Sequence, residues 1–336
     1  MKKTAVTIAC AGFLISALAA VHPADAAGVH AAPISMVNAS PVQLLFLQAP
    51  PDRAKTLPQG TGRLTVSNSL TNTLLVEDDP GPATGIIDLE MLRTTVAFSY
   101  GLSHRLDLHL SLPLALSGGG AMDHFILDVE QAFGNARKVR EEESPGQHHF
   151  DLRRGGRRVI GSDHRATGAG DLAMHLKALL LREGGSTPAL AARVGLKLPT
   201  GRRSRGLGSG GTDVGLGLLL EKHFGSVAAF LNADVIFPGD IDDPEVQAET
   251  FYQAMFGMSY AFTEVWSASA QVAYTSRPFS GTGLTMLDRR IVDLLLGITY
   301  QRPDGFFVQA GTMEDIVDSA DAGADISFFL NLGWHF

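Results

Sequence analysis

Polar and apolar residues alternate along most of this chain, as expected of strands whose two faces meet different surroundings. Between Arg105 and Ser117, Leu106, Leu108, Leu110, Leu112, Leu114 and Leu116 share one face. Asp107, His109, Ser111, Pro113 and Ala115 share the other. Leucines at this spacing would wind right round a helix, so the segment reads as a strand. The same alternation returns in 190–198, 214–221, 252–262 and 292–300. Twelve segments are predicted, at 62–76, 86–100, 104–117, 170–182, 188–199, 212–224, 226–237, 249–262, 264–276, 290–301, 305–313 and 325–336. Each is long enough to cross a bilayer at the usual tilt. In the second, Asp88 and Glu90 fall on the face continued by Val96, Phe98 and Tyr100. That conflict predicts a β-bulge near 91–93.

The connections carry independent information. Short ones (101–103, 183–187, 224–226, 262–264, 302–305) alternate with long ones (77–85, 118–169, 200–211, 238–248, 276–289, 314–324). A barrel of the outer-membrane type shows this asymmetry, with tight periplasmic turns and extended outer loops. A soluble sandwich or jelly roll also alternates, but nothing requires its long loops to fall at every second connection. The C-terminal segment places Ile326, Phe328, Leu330, Leu332, Trp334 and Phe336 on one face and stops on an aromatic. It resembles the terminal strand that outer-membrane barrels of Gram-negative bacteria present to the barrel assembly machinery. Phe328, Leu330, Leu332, Trp334 and Phe336 are therefore the candidate assembly signal.

At the other end, Lys2 and Lys3 precede an apolar run from Ala5 to Val21 and an Ala24-Asp25-Ala26 site, the pattern of a secretory signal peptide over 1–26. Cys10, the single cysteine, lies inside it, so the exported chain has no disulfide, thiol nucleophile or thiolate metal site. The predicted fold class is all-β: a transmembrane antiparallel β-barrel of about twelve strands. The barrel covers 61–336, and 27–60 form an N-terminal periplasmic or plug segment. Its expected place is the bacterial outer membrane, among outer-membrane lipid and lipopolysaccharide.

Composition narrows this further. A chain 45% hydrophobic and 18% charged is not disordered. A net charge of −8 removes any reason to expect nucleic acid.

Candidate chemistry is sparse. Gly206-Leu207-Gly208-Ser209-Gly210-Gly211 matches a dinucleotide fingerprint literally, but a strand rather than a helix follows it. It reads as a flexible outer loop. The long 118–169 connection contains a predicted amphipathic helix over 122–135 and a basic stretch with Arg137, Lys138, Arg140, Arg153, Arg154, Arg157 and Arg158. That stretch reads as a solvated, self-paired charge run, with contact to lipopolysaccharide phosphates or capture of an anionic solute as the alternative. His148, His149, Asp151, Asp163 and His164 match no closed metal site, and Ser162-Asp163-His164 cannot form a triad among neighbours. No catalytic residue, metal or cofactor is assigned.

The face opposite the apolar one is more informative. Asp107, His109, His175, Lys177, Arg193, Lys197, Asp213, Glu221 and Asp234 are predicted to face the lumen, with Gln253, Gln271 and Asp293. Their mixed signs point to paired charges rather than a ring selecting one ion. Small residues recur beside them, among them Gly195, Gly215 and Gly217. The apolar stretch 42–47 is the candidate plug, seated on inward patches at Leu92, Leu179, Leu219, Ile236 and Leu295. A passive channel or uptake pore for small solutes, hydrophobic ones included, is the reading that follows. An outer-membrane hydrolase and a structural or surface-interaction barrel are the alternatives.

Leu196-Lys197-Leu198-Pro199-Thr200-Gly201, followed by Gly208-Ser209-Gly210-Gly211-Thr212-Asp213, resembles a domain-of-unknown-function family of proteobacterial envelope proteins. That family is similar to aromatic-compound and fatty-acid channels. The likeness runs from Asn38-Ala39-Ser40-Pro41 to the C-terminus, with Val37 and Ser40 standing where the family pattern has Arg and Asn. The resemblance implies an outer-membrane barrel and no reaction.

Overall fold

The computed structural model describes residues 32–77, 82–120, 122, 146–162, 165–241, 246–316 and 326–336. The first strands are β1 (Gly62–Glu77), β2 (Ala83–Ser103), β3 (Leu106–Gly118), β4 (His149–Arg154), β5 (Arg157–Gly161), β6 (Thr167–Ala169), β7 (Leu172–Leu181) and β8 (Ala189–Leu198). The remainder are β9 (Asp213–Phe224), β10 (Val227–Phe237), β11 (Phe251–Ala261), β12 (Trp266–Thr275), β13 (Ile291–Gln301), β14 (Phe306–Asp315) and β15 (Ile326–His335).

Twelve of these close an antiparallel barrel. Neighbours follow chain order from β7 through β15; β15 pairs with β1, β1 with β2, β2 with β3 and β3 with β7. Closure leaves no ladder edge among the twelve, which a spanning sheet requires because lipid offers no hydrogen bonds. The short β4–β5 hairpin extends the sheet beside Ala83–Asp88 of β2, and β6 continues the line of β7 along β3. The long connection 118–169 thus carries strands that alternation did not reveal.

Outside is apolar and inside is polar. Leu112, Leu114, Leu216, Leu218 and Phe256 are exposed on the outer face, Leu218 at 54%. Aromatic side chains flank this belt: Trp266 lies 4.9 Å from Tyr300 between ring centroids at the short-turn rim, and Phe237, Tyr252 and Tyr274 lie exposed toward the long-loop rim. Such girdles suit the two membrane–water interfaces. Leu110 lies on this outer face within β3. Leu110→Arg is expected to cost roughly 2–4 kcal/mol of insertion near the midplane. A lowered melting temperature of the heat-modifiable gel species measures it; unchanged melting would place Leu110 away from lipid.

Two expectations are corrected. The β1–β2 and β2–β3 registers run without a break through Met91–Arg93, and the irregularity lies between Gly101 and Ser103 instead. Asp88 and Glu90 sit on the outward face, where the Met122 amide donates to the Glu90 carboxylate. The loop amide meets the Glu90 carboxylate and β4 lies beside Asp88, so no bulge is needed to turn them inward. With the phase continuous, Leu92 points outward and is 42% exposed, so it is not a plug seat. The predicted 122–135 helix lies outside the described residues except for Met122.

Candidate functional site

Residues 32–57 fold back on themselves inside the barrel. Near the short-turn half, the Gln271 side chain brackets Ile34: Ile34 N–H donates to Oε1 and Nε2 donates to the Ile34 carbonyl, both at 2.8 Å. A carboxamide used this way replaces a neighbouring strand. The segment then climbs to Asn38, whose Nδ2 donates to both Asp293 oxygens at 3.0 and 3.2 Å. A single 3-10 turn at Gln43–Leu45 reverses it.

The descending limb passes Asp213, which accepts the Leu47 amide at 2.7 Å, and then Gln253, which accepts that of Ala49 at 3.0 Å. Asn232 brackets Asp52 as Gln271 brackets Ile34, at 2.8 and 3.1 Å. The Leu57 amide reaches Asp107 at the short-turn end.

The apolar tip explains why this segment is inside. Val42, Leu45, Phe46 and Leu47 are buried against Ile87, Ile236, Leu284 and Leu287, and the Phe46 ring lies 5.5 Å from both Phe251 and Phe279. Each such side chain gains roughly 1.5–3 kcal/mol over exposure to water. This cluster lies toward the long-loop end. Leu179 and Leu219 pack instead around Ala54, and Leu295 around Ile34 and Met36.

The predicted lumen residues are mostly engaged by this segment. Lys197, 2% exposed in its side chain, stands 2.8 Å from Asp171 and 3.3 Å from Asp213, and donates to the Leu45 carbonyl and Ser209 Oγ. Arg193 forms a fork with Asp234 at 2.6 and 2.7 Å and also donates to the Pro50 carbonyl. Lys177 pairs with Asp52 at 2.6 Å and stands 3.5 Å from Asp107. Glu221 pairs with Arg53 at 2.7 Å. His109 shares a hydrogen bond with Ser99, and its ring lies 5.9 Å from that of buried His175.

The glycine-rich stretch is packed rather than flexible. Leu207 and Ser209 are buried, and Gly201 donates to Asp171. A Cβ on Gly208 would stand 2.6 Å from the Asp171 carboxylate. One at Gly217 would collide with Asp234, and one at Gly215 would stand 2.9 Å from Leu47. The small wall residues thus mark where charge pairs and the inserted segment approach the backbone most closely.

Glu183, Glu221 and His223 hold ligand atoms close enough for a metal. Lys55 Nζ already lies among them, 2.8 Å from Glu183, 3.4 Å from Glu221 and 3.3 Å from His223 Nδ1. Lys55 and Arg53 of the inserted segment together balance the two carboxylates of this cluster. Of the outer-loop residues, Asp151 pairs with Arg153 and Arg158, and Ser117 shares a hydrogen bond with His148. Asp163 and His164 of the Ser162-Asp163-His164 run lie outside the described residues.

Glu183 sits in the turn between β7 and β8. Burial raises its pKa, but hydrogen bonds from Lys55 and His223 outweigh this and pull it from 4.5 to about 2. A lowered folded-state pKa stabilises above the ordinary value and loses that contribution as pH falls toward 2. Wild type is therefore expected to melt higher than Glu183→Gln at pH 7, the gap closing between pH 4.5 and 2. A gap that does not vary with pH would remove the carboxylate from the seating of Lys55.

Beside the inserted segment remains a cavity of about 990 Å³. It runs from the short-turn mouth at Arg302, Asp304 and Phe336, along β1–β3, to Ala115 and Leu207 beneath the apolar tip. Sequence reading did not single out Asp52, Arg53, Asp171 or Asn232. The adjacent charges of Asp52-Arg53 within a proline-rich lead-in were the available signal.

A closed twelve-stranded barrel with a lipid-type outer face and a charged, occupied lumen defines a barrel of the outer-membrane type. The chain belongs to the DUF3187 family, described as proteins of unknown function, whose model matches residues 10–336. Among solved structures it is similar to the COG4313 outer membrane channel from Pseudomonas putida F1, at 17% identity and a TM-score of 0.58, covering 86% of this chain and 100% of that one. Weaker likenesses are the NanC porin (6% identity, 81% and 98% covered, TM-score 0.46) and the P. putida toluene transporter TodX (11%, 83% and 91%, 0.40). No curated protein matches the chain.

Proposed function

We propose that this protein is a passive outer-membrane channel for small solutes, held shut by its own N-terminal segment. The observation that carries the reading is the pairing of an open cavity, lined by polar and apolar side chains together, at one end with an apolar tip seated at the other. A wall lined with charges and carboxamides suits water and solute rather than a packed core. A twelve-stranded lumen is narrow, so one inserted segment suffices to close it. The similarity in fold to an outer membrane channel agrees with this reading, as does the apolar belt with its location.

Replacing residues 40–48 with a glycine–serine linker of equal length tests it. Lys197 keeps Asp171 and Asp213, and Arg193 keeps Asp234, so the wall retains its own ion pairs. Single-channel conductance in planar bilayers is expected to rise several-fold over the full chain. An inserted, heat-modifiable variant with unchanged conductance would sink the gating reading.

A further inference from the structure

The inserted segment engages the barrel unequally. On β8–β12, Arg193, Lys197, Asp213, Glu221, Asn232, Gln253 and Gln271 all bond to it. The inward faces of β1, β2 and β3 line the cavity instead. From the mouth inward, their rungs are Arg63–Ser99–His109, Thr65–Ala97–Ser111, Ser67–Thr95–Pro113 and Ser69–Arg93–Ala115. At the mouth, Arg63 is 3.8 Å from Asp52, and His109 shares its hydrogen bond with Ser99. Further in, the side-chain hydroxyls of Thr65, Ser67, Ser69, Thr95 and Ser111 make no hydrogen bond to a described residue.

Arg93 ends this track. Its side chain has no ion pair or hydrogen bond among the described residues, and its Nε is buried without a partner. A half-buried guanidinium that lines the cavity, its Nε shielded and no counter-charge beside it, favours capture of an anion. Its fork matches a carboxylate in two parallel hydrogen bonds, and Ser69 and Thr95 stand on the same and the adjacent rung to add donors. Pro113, Ala115 and Leu207 border the cavity there, giving an apolar surface beside the charge. One fixed cation, neutral hydroxyls and an apolar border suit a single negative charge on an apolar body.

We infer that the β1–β3 wall is a binding track for small organic monocarboxylates, with Arg93 the residue that holds the carboxylate. The inference deepens the channel reading and rests on it for the solute's passage. Equilibrium dialysis of the full chain in detergent, with radiolabelled benzoate as probe, measures binding without requiring conduction. Saturable binding is expected, weakened about tenfold or more in Arg93→Gln and less in Arg93→Lys. If Arg93→Gln gives no heat-modifiable barrel, the Ser69→Ala/Thr95→Val double variant is measured instead, and weakening is again expected. Wild-type affinity in the folded variant overturns the site, as does inorganic phosphate displacing benzoate at lower concentration than benzoate itself. Bilayer recordings separate the two readings. Arg93-dependent benzoate binding with no conductance in the linker variant keeps the site and removes the channel. Conductance without Arg93-dependent binding does the reverse.

Discussion

Deleting Phe336, or replacing both Trp334 and Phe336 with Asp, is expected to leave almost no barrel in the outer membrane. Phe336 closes the seam. Phe336 donates its amide to the Gly62 carbonyl at 2.9 Å and accepts from the Gly62 amide at 2.7 Å, while its ring stacks on Phe98. Trp334 stands opposite Leu64 on the neighbouring strand and is 57% exposed on the outer face. Removing these contacts opens the β15–β1 ladder at its end, and aspartates there would have to face lipid or its interface. Blots of membrane fractions for the heat-modifiable species give the answer. Normal amounts of truncated barrel would show that closure does not depend on this end.

Lys197→Met is expected to destabilise the barrel by roughly 3–5 kcal/mol, because it strands two buried carboxylates beside each other. Asp171 and Asp213 both face the ammonium, and the Leu45 carbonyl at the apolar tip loses its donor. The triple variant Lys197→Met/Asp171→Asn/Asp213→Asn removes those charges and is expected to recover much of the loss. Thermal melts followed by gel mobility compare the three proteins. A single variant as stable as wild type would show that the cluster relaxes or hydrates freely.

Much of this architecture is readable from the sequence because lipid and lumen differ so strongly. Leu106 to Leu116 and their polar neighbours report two solvents at once, so the strand and its facing are written in one alternation. The lysine and aspartate of the 196–213 motif meet in the ladder itself, where Lys197 and Asp213 stand opposite each other. Where the surroundings depart from that pattern, the reading misleads. Asp88 and Glu90 looked inward because outward carboxylates are costly in lipid, yet Glu90 accepts from a loop amide and Asp88 stands beside β4. That misreading carried Leu92 to the wrong face. The path of residues 34–57 was not legible beyond its apolar tip, since most of its bonds are made by its backbone. Gly208 likewise looked like loop freedom, although it is a contact with the Asp171 carboxylate.

That backbone bias sets how the inserted segment tolerates change. Gln271, Asn232, Gln253 and Lys197 grip carbonyls and amides of Ile34, Asp52, Ala49 and Leu45, which any residue but proline at an amide position would present. Side-chain identity enters at fewer places: Asn38 on Asp293, Arg53 on Glu221, Asp52 on Lys177, Lys55 on Glu183, the apolar tip, and the packing of Ile34, Met36 and Ala54. The segment is thus recognised as a length of chain with a handful of addressed positions. Sequence drift between those positions leaves the seat intact, and a segment from another barrel would dock if it carried the same addresses at the same spacing.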